Sequence, residues 1–451
     1  MQKLKHFLSG PIKDVLELKR FLSQNFPISS YKDKVQLQLS KGQIVQLSSA
    51  GIENIYVLKE LSGVKELDLS DNNIADVSPL LNVQIQTLNL MRNKIRQIQD
   101  LGRCIQVLNI AHNGIENINI LSEFAKLQEL NISTNPIQNI ECLQNLKQLK
   151  KLLINNCKVD LNALQHLINL TELEIDNNKT KSIDFVKKLT KLKVLSANQN
   201  KITDASAISN CKMLQELDIR NNNISSISFA SSLSELKKLN AMYNQIQDIS
   251  PLEDLQYLSE LFLGFNQIYD VSSLTEMKSV DELGLENNRI TDLPEFPEDY
   301  ESEYTLRLVD ISNNYIADAE SFAGLQLGQL LISNNYLTEI ESLECFEYIR
   351  ELDVSYNMIK NARKYNPMGI DLREFTHSPQ RKSSAALTKI RNNIRKMNAL
   401  STVQNKFEGN QRIFQLKQQF QNYKSKINLK MGTELIKLNQ IAELFVSAFG
   451  L

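Results

Sequence analysis

Glycine and tryptophan are scarce in this sequence: 14 glycines and no tryptophan occur among 451 residues. Phosphate-binding loops depend on closely spaced glycines, which let the backbone approach the ligand. Neither Gly-x-x-x-x-Gly-Lys nor Gly-x-Gly-x-x-Gly occurs. The sequence therefore argues against the nucleotide-binding folds that are built on such loops.

Cysteine is also sparse and widely spaced. Its five residues are Cys104, Cys142, Cys157, Cys211 and Cys345, and no two are closer than 15 positions. A disulfide framework needs pairs of cysteines, and a zinc site needs closely spaced ligands. Neither is expected here, and this spacing favours a protein from a reducing compartment.

Neither sign of charge dominates, and long apolar runs are absent from the sequence. Fifty-one Lys and Arg against 52 Asp and Glu give a formal charge of −1, which does not favour a nucleic-acid partner. No apolar run reaches the roughly 18 residues that would span a membrane, and residues 1–14 lack the apolar core of a signal peptide. We therefore expect a cytoplasmic protein with no membrane partner, with a nuclear, cytoskeletal or ciliary location as alternatives.

One sequence segment recurs along most of the chain. VKELDLSDNNI at 64–74 returns as LQELDIRNNNI at 214–224 and as IRELDVSYNMI at 349–359. The first residue of the Leu-x-Leu pair marks fifteen copies: Val45, Leu67, Leu88, Leu108, Leu130, Leu152, Leu173, Leu195, Leu217, Leu239, Leu261, Leu283, Val309, Leu330 and Leu352. Nine of the fourteen spacings are 22 residues, four are 20 or 21, and one is 26. A period of this length is typical of a stacked repeat array.

The repeat resembles leucine-rich repeats of the 22-residue class, such as those of internalins and of the leucine-rich regulatory subunit of protein phosphatase 1. The resemblance implies an α/β solenoid: an arc with a parallel β-sheet on its concave face and short 3₁₀ turns on its convex face. A C-terminal α-helical segment follows. The predicted domains are an N-terminal helical cap at 1–44, a solenoid of about fifteen repeats with a terminal cap at 45–376, and a basic amphipathic helical tail at 377–451.

Each copy can be interpreted residue by residue. Leu67 and Leu69 are two positions apart, so in a strand they point to the same side, into the core. Asp68 between them points outward. In the turn that follows, Ser78 precedes Pro79, which predicts that Ser78 is the N-cap of a short helical turn with proline at its first position.

An asparagine follows the strand in almost every copy. An amide can both donate and accept hydrogen bonds, so we expect these residues to stack as a buried ladder that satisfies backbone groups where the chain turns. The predicted ladder is Asn72, Asn93, Asn113, Asn135, Asn178, Asn200, Asn222, Asn244, Asn266, Asn288, Asn314, Asn335 and Asn357. Ala50 and Cys157 take its place in two copies.

The outward positions of the later copies combine acidic and large apolar residues. Exposed aromatic side chains among charges are typical of protein interfaces. The predicted partner-binding residues are Glu172, Glu174, Asp176, Asp218, Met242, Tyr243, Glu260, Phe262, Phe265, Glu282 and Glu286. They predict a protein partner with a basic surface. Two other interpretations stay open: the aromatic residues could stack along the sheet as packing, and Glu172, Glu174 and Asp176 could hold a hard cation.

No catalytic constellation is visible in the sequence. The four histidines, His6, His112, His166 and His377, fall in different elements without a cysteine or aspartate partner at a ligand spacing. We therefore expect no cofactor, no metal and no enzymatic activity.

Two irregular segments interrupt the pattern. The longest spacing contains DLPEFPEDYESEY at 292–304, which is either a solvated bulge or a loop on a binding face. Residues 377–451 contain 13 Lys and Arg against three Glu, with apolar residues at helical spacing. The predicted helices could form a hairpin, pack on the last coil or pair with another chain as a coiled coil. Their aromatic residues lie on the apolar stripe, so nucleic-acid binding by base stacking is disfavoured.

The sequence thus predicts an interaction scaffold that binds a protein on its concave face. The resemblance leaves two alternatives: a regulatory subunit of a protein phosphatase, bound to its catalytic subunit, or a cytoskeletal or axonemal tether that acts through the basic tail. The tail could also fold back on the acidic arc.

Overall fold

A computed structural model describes residues 44–56, 58, 64–99, 101–296, 305–322, 325–339, 349–360 and 374–376, together with 392, 394, 395 and 398. The predicted N-terminal cap, apart from Ile44, and most of the predicted tail lie outside the described residues. The chain divides into two compact units. The first comprises Met1–Gln245 and Asp254–Leu261, and the second comprises Ile246–Glu253 and Phe262–Leu451.

The first unit is built on short parallel strands that follow one another in sequence order. They are β1 (Ile44–Gln46), β2 (Glu66–Asp68), β3 (Thr87–Asn89), β4 (Val107–Asn109), β5 (Glu129–Asn131), β6 (Lys151–Leu153), β7 (Glu172–Glu174), β8 (Val194–Ser196), β9 (Glu216–Asp218), β10 (Lys238–Asn240) and β11 (Glu260–Phe262), whose last residue belongs to the second unit. The marker residues are paired in register, for example Leu217 with Leu239. The predicted parallel sheet is therefore confirmed.

The second unit has the same pattern, with strands of three to six residues. They are β12 (Glu282–Gly284), β13 (Thr305–Asp310), β14 (Gln326–Leu331), β15 (Ile349–Asp353) and β16 (Glu374–Thr376). Beyond the fifteen predicted copies, β16 is a further strand that pairs in parallel with β15, with Phe375 opposite Leu352. The triplet equivalent to Leu-x-Leu is 375–377, which reads Phe-Thr-His, so the repeat pattern could not reveal this strand.

Short 3₁₀ helices connect most strands, as predicted. In the first unit they are Ser78–Leu80, Asn119–Glu123, Glu141–Asn145, Asn162–His166, Asp184–Lys188, Ser206–Asn210 and Ser228–Ser232. In the second unit they are Ser250–Leu252, Ser272–Glu276 and Glu320–Phe322.

The prediction that Ser78 caps its helix was wrong. The N-cap is Val77, and no side chain caps the helix there. Instead, the Ser78 N–H donates to Oδ1 of Asp76 at 2.8 Å. A carboxylate that accepts from the backbone two residues later forms an Asx turn, which reverses the chain before the helix begins.

The core of each unit consists of the inward residues of the repeat. Leu67 is 2% exposed and Leu69 is fully buried, as the alternation predicts. Phe124 in the first unit and Phe322 in the second are also fully buried. Burying one such side chain stabilises the folded state by about 1.5–3 kcal/mol relative to exposure. A coil cannot bury this surface alone, so its stability depends on its neighbours.

The ladder asparagines are buried, except for the half-buried Asn93 and Asn113, and they bond to the backbone of two coils. Nδ2 of Asn222 donates to the carbonyl of Ala197 at 2.9 Å and to that of Ile219 at 3.0 Å, while its Oδ1 accepts from the Ile202 N–H at 3.0 Å. Cys157 occupies the same position, and its Sγ lies 3.4 Å from the carbonyl of Ile132. The amide side chain therefore joins successive coils where the strand ends.

A left-handed backbone corner precedes each ladder position. The residue before Asn222 is Asn221, with φ of 55°, and the equivalent Tyr243 and Phe265 have φ of 55° and 58°. Side chains at this corner project beside the outward residues of the strand. The strand and its corner therefore present one surface, which we call the sheet face.

Candidate partner-binding surface

In the first unit, two predicted acidic residues of the sheet face are held by hydrogen bonds between coils. Glu174 accepts from Nδ2 of Asn155 at 2.8 Å. Oδ1 of Asp176 accepts from Oγ of Ser196 at 2.7 Å and from the Asn198 N–H at 2.9 Å. Since each bond connects different coils, the side chains are oriented before any partner arrives.

Three other acidic residues of this unit form ion pairs on the same face. Glu172 pairs with Lys151 at 2.5 Å, and Glu260 pairs with Lys238 at 2.8 Å. Asp218 pairs with Arg220 at 3.0 Å. Burial raises the pKa of Asp218, against the lowering effect of Arg220.

The charge of this part of the sheet face is therefore mixed. From β6 to β11, six outward carboxylates stand against three bases, so an acidic excess remains. Its acidic members are Glu172, Glu174, Asp176, Glu216, Asp218 and Glu260. The three bases are Lys151, Arg220 and Lys238, and each is paired with one of these carboxylates.

Tyr243 and Met242 provide the apolar part of the first-unit surface. Tyr243 lies at the left-handed corner and is 45% exposed. Met242, at the preceding outward position, is half-buried. A tyrosine that keeps nearly half of its surface exposed beside oriented polar groups can contribute contact area to a partner.

In the second unit, two glycines make room for a carboxyl group. A Cβ atom on Gly264 would overlap the Glu286 carboxylate, and one on Gly284 would lie 2.9 Å from Cδ1 of Phe262. Burial raises the pKa of Glu286 to about 7; its own backbone N–H lowers the pKa, and the charge of Asp310 raises it. The side chain of Glu286 thus lies close over the sheet beside Phe262.

The remaining predicted residues of the second unit are Phe265 and Glu282. Phe265 lies at the left-handed corner and is 36% exposed. Glu282 forms an ion pair with Arg307. The spacing of the repeat predicted that these residues point outward. It could not predict that Arg307 pairs with Glu282 or that Gly264 leaves space for Glu286.

The alternative of a cation at Glu172, Glu174 and Asp176 finds no support in their contacts. Lys151, Asn155 and Ser196 engage these three carboxylates. In the part of the chain that the structure describes, no group of three or more His, Cys, Asp or Glu could hold a metal ion. Within the same part, no helix has the length and apolarity needed to cross a membrane.

The described residues of the tail are helical, and two of them, Arg395 and Asn398, contact the coils of the second unit. Asn398 is 9% exposed and donates from Nδ2 to the carbonyl of Arg289 at 2.9 Å. Nη2 of Arg395 lies 3.1 Å from Oδ1 of Asp292, and Oδ2 of the same carboxylate accepts from Thr291 at 2.8 Å. This contact involves the start of the long acidic segment that the sequence singled out.

The parallel strands, the 3₁₀ connections and the asparagine ladder define a leucine-rich-repeat fold, a class known mainly for extended binding surfaces without enzymatic activity. The family model "Leucine Rich repeats (2 copies)" matches residues 62–103, 168–210, 190–233 and 212–254. The chain is a leucine-rich-repeat protein. A sequence comparison with curated proteins finds no relative.

Solved structures share this fold. An internalin of Listeria monocytogenes gives a TM-score of 0.57 at 23% identity, over 84% of this chain and 98% of the internalin. A leucine-rich-repeat protein of Leptospira interrogans gives 0.57 at 25% identity, over 71% and 91%. The ectodomain of the Arabidopsis receptor kinase HAESA, solved with a peptide hormone, gives 0.58 at 21% identity, over 80% and 66%.

Proposed function

We propose that this protein is an interaction scaffold that binds a protein partner on its sheet face. The observation that carries the proposal is the oriented polar surface of the first unit. There, Glu174 and Asp176 are fixed by bonds from neighbouring coils, and Tyr243 is exposed. All three side chains reach the surface, since Glu174 and Asp176 are half-buried and Tyr243 is 45% exposed. Because Glu174 and Asp176 are already oriented, less entropy is lost when a partner binds.

The partner has a basic surface where it meets the first unit. The acidic excess from β6 to β11 attracts such a surface and accelerates its association. In the second unit, Phe262 and Phe265 add apolar area, and Glu286 adds a carboxyl group beside them. Each unit thus offers a patch suited to a polypeptide, the kind of ligand with which the Arabidopsis receptor was solved.

Site-specific photo-crosslinking tests this proposal. A crosslinking amino acid at Tyr243 should capture the partner in the native cell, while the same group at Tyr257 should not. Tyr257 is the matched control because it is also exposed, at 57%, but precedes its strand instead of following it. The captured protein should bind the Glu172→Lys/Glu174→Lys variant more weakly, with a reduced dependence of the association rate on salt. Capture from Tyr257 alone, or unchanged affinity, would move the interface elsewhere.

The identity of the captured protein also tests the alternatives. A phosphatase catalytic subunit would make the chain an enzyme regulator, and tubulin or axonemal proteins would make it a cytoskeletal tether. The cytoplasmic location and the coiled-coil pairing of the tail belong to the same proposal. Imaging of the tagged chain and measurement of its mass in solution test them.

A further inference from the structure

A second surface of the first unit lies on the segments that lead into the strands. Six of these segments, each five residues long, connect a 3₁₀ helix to the next strand: 124–128, 146–150, 167–171, 189–193, 211–215 and 233–237. We call them the return segments. In every one, the first and fourth residues are at most 1% exposed. The N–H of the fourth residue donates to the carbonyl of the first at 2.9–3.1 Å.

This uniform turn directs the remaining positions outward, and lysine dominates them. The exposed lysines of the return segments are Lys126, Lys147, Lys150, Lys191, Lys193, Lys212 and Lys237. Glu235 is the single acidic residue of the six segments, and they contain no arginine. The surface thus carries an excess of six positive charges in a chain whose formal charge is −1.

The side-chain contacts of these lysines are few. None of the seven forms an ion pair with a described residue, and two donate instead to neutral amides. Nζ of Lys191 donates to Oδ1 of Asn169 at 2.7 Å, and Nζ of Lys150 lies 3.4 Å from Oε1 of Gln128. The sheet face differs, since its lysines there pair with glutamates of adjacent strands.

Three of the lysines form a regular row. Lys150, Lys193 and Lys237 are fifth residues of their segments, and backbone bonds of 2.7–2.8 Å connect these fifth positions from coil to coil. Neutral Thr171 and Gln215 stand between them in the row. Since parallel strands lie about 4.8 Å apart, successive lysines of the row are about 10 Å apart.

Apolar side chains are exposed among these charges. Ile168 is 54% exposed and Met213 is 47% exposed, each within a return segment. No aromatic side chain is exposed on the six segments. Base stacking and bidentate recognition of phosphate therefore have no residues to perform them here. Lysines around aliphatic residues instead suit a peptide that carries both carboxylates and aliphatic side chains.

We propose that the return segments of the first unit form a second binding surface, which takes an acidic polypeptide segment with interspersed aliphatic residues. Carboxylates of that segment pair with the row Lys150, Lys193 and Lys237, while its aliphatic residues contact Ile168 and Met213. This surface precedes the strands and uses none of the residues of the sheet face. The protein can therefore hold a basic partner and an acidic partner through different residues of the same coils.

Binding of a fluorescent peptide of Glu-Glu-Leu repeats to the full chain tests this surface. The variant Lys150→Glu/Lys193→Glu/Lys237→Glu should weaken binding by about tenfold or more, since three favourable charge pairs become repulsive. The matched control is Lys158→Glu/Lys179→Glu/Lys201→Glu, which changes the net charge equally at three exposed lysines that follow their strands. We expect the control variant to bind within about twofold of the unchanged chain.

Three results would overturn the proposal. The first is no measurable binding of the peptide by the unchanged chain. The second is equal weakening in the two triple variants, which would indicate attraction by net charge alone. The third is tighter binding of a single-stranded oligonucleotide of equal charge, which would assign the surface to nucleic acid. Glu172→Lys/Glu174→Lys should leave peptide binding unchanged, so this surface and the sheet face can fail separately. The Lys→Gln triple variant, with a urea unfolding curve, controls for misfolding.

Discussion

Replacing one asparagine of the ladder tests the register of the whole solenoid. Asn222 is 8% exposed, and leucine has a similar volume but no polar group. In Asn222→Leu the Ile202 N–H loses its acceptor and becomes a buried unpaired donor. The two main carbonyl acceptors keep a partner, because Ala197 also accepts from Asn200 and Ile219 also accepts from Asn244. One orphaned donor and two weakened acceptors should lower the free energy of unfolding by about 2–4 kcal/mol.

Because neighbouring ladder asparagines share a carbonyl acceptor, we expect their substitutions to be non-additive. Asn200 and Asn222 both donate to the carbonyl of Ala197, which accepts from no other donor among the described residues. Removing both asparagines leaves that carbonyl unpaired, whereas each single variant does not. The loss in free energy of unfolding in the double variant should therefore exceed the sum of the two single losses by about 1 kcal/mol or more.

Urea unfolding followed by circular dichroism measures both effects. The control is Asn223→Leu, because Asn223 is adjacent and exposed and should change stability by less than about 0.5 kcal/mol. Equal losses for Asn222→Leu and Asn223→Leu would show that the assigned ladder position is wrong. An additive double variant would refute the sharing of the Ala197 carbonyl.

Two further substitutions test specific sites. Cys157→Asn should raise the free energy of unfolding by about 1 kcal/mol, because an amide replaces a thiol whose Sγ is 3.4 Å from the Ile132 carbonyl. The backbone there accepts asparagine, since the ladder residue Asn178 is likewise followed by a lysine with φ of 60°. A urea midpoint at or below that of the unchanged chain would contradict this expectation. Glu286→Gln should gain stability relative to the unchanged chain as pH rises from the ordinary pKa of 4.5 to the raised pKa of about 7. The reason is that Glu286 of the unchanged chain binds its proton more tightly when folded, so the unchanged chain loses stability over that pH range. A difference in free energy of unfolding that is constant from below pH 4.5 to above pH 7 would show that Glu286 titrates normally.

The sequence was sufficient for most of the fold because burial repeats at a fixed period. Leu67 and its equivalents recur where an inward side chain is needed, so every marker lies within a strand, as in β1, β2 and β3. The same pattern failed at β16, where Phe375 takes the place of leucine. It also failed at Ser78, because the turn before the helix is made by a bond from the Ser78 N–H to Asp76, which the Ser-Pro pair does not specify.

The candidate sites were less predictable, because they depend on contacts between side chains from different coils. The spacing placed Glu172 and Glu286 outward but contained no sign that Lys151 pairs with the first. It also did not indicate that Gly264 leaves space for the second. The lysines of the return segments are present in the sequence, but the sequence does not show that they share a surface. That follows from the turn that every segment forms in the structure. Comparing residues at equal positions before every strand, coil by coil, would have found them.

Different positions within a coil serve stability and binding, which explains why one array can carry two binding surfaces. Core leucines and ladder asparagines bind their own neighbours, so their identity is fixed by stability. Outward strand residues such as Glu174 and return-segment residues such as Lys193 lie outside the core, so each can change without disturbing the packing of the coils. Acidic groups can therefore accumulate on the strands and basic groups on the segments before them, while the whole chain stays near neutrality. A partner then reads one surface of several consecutive coils, and its affinity grows with the number of coils that it spans.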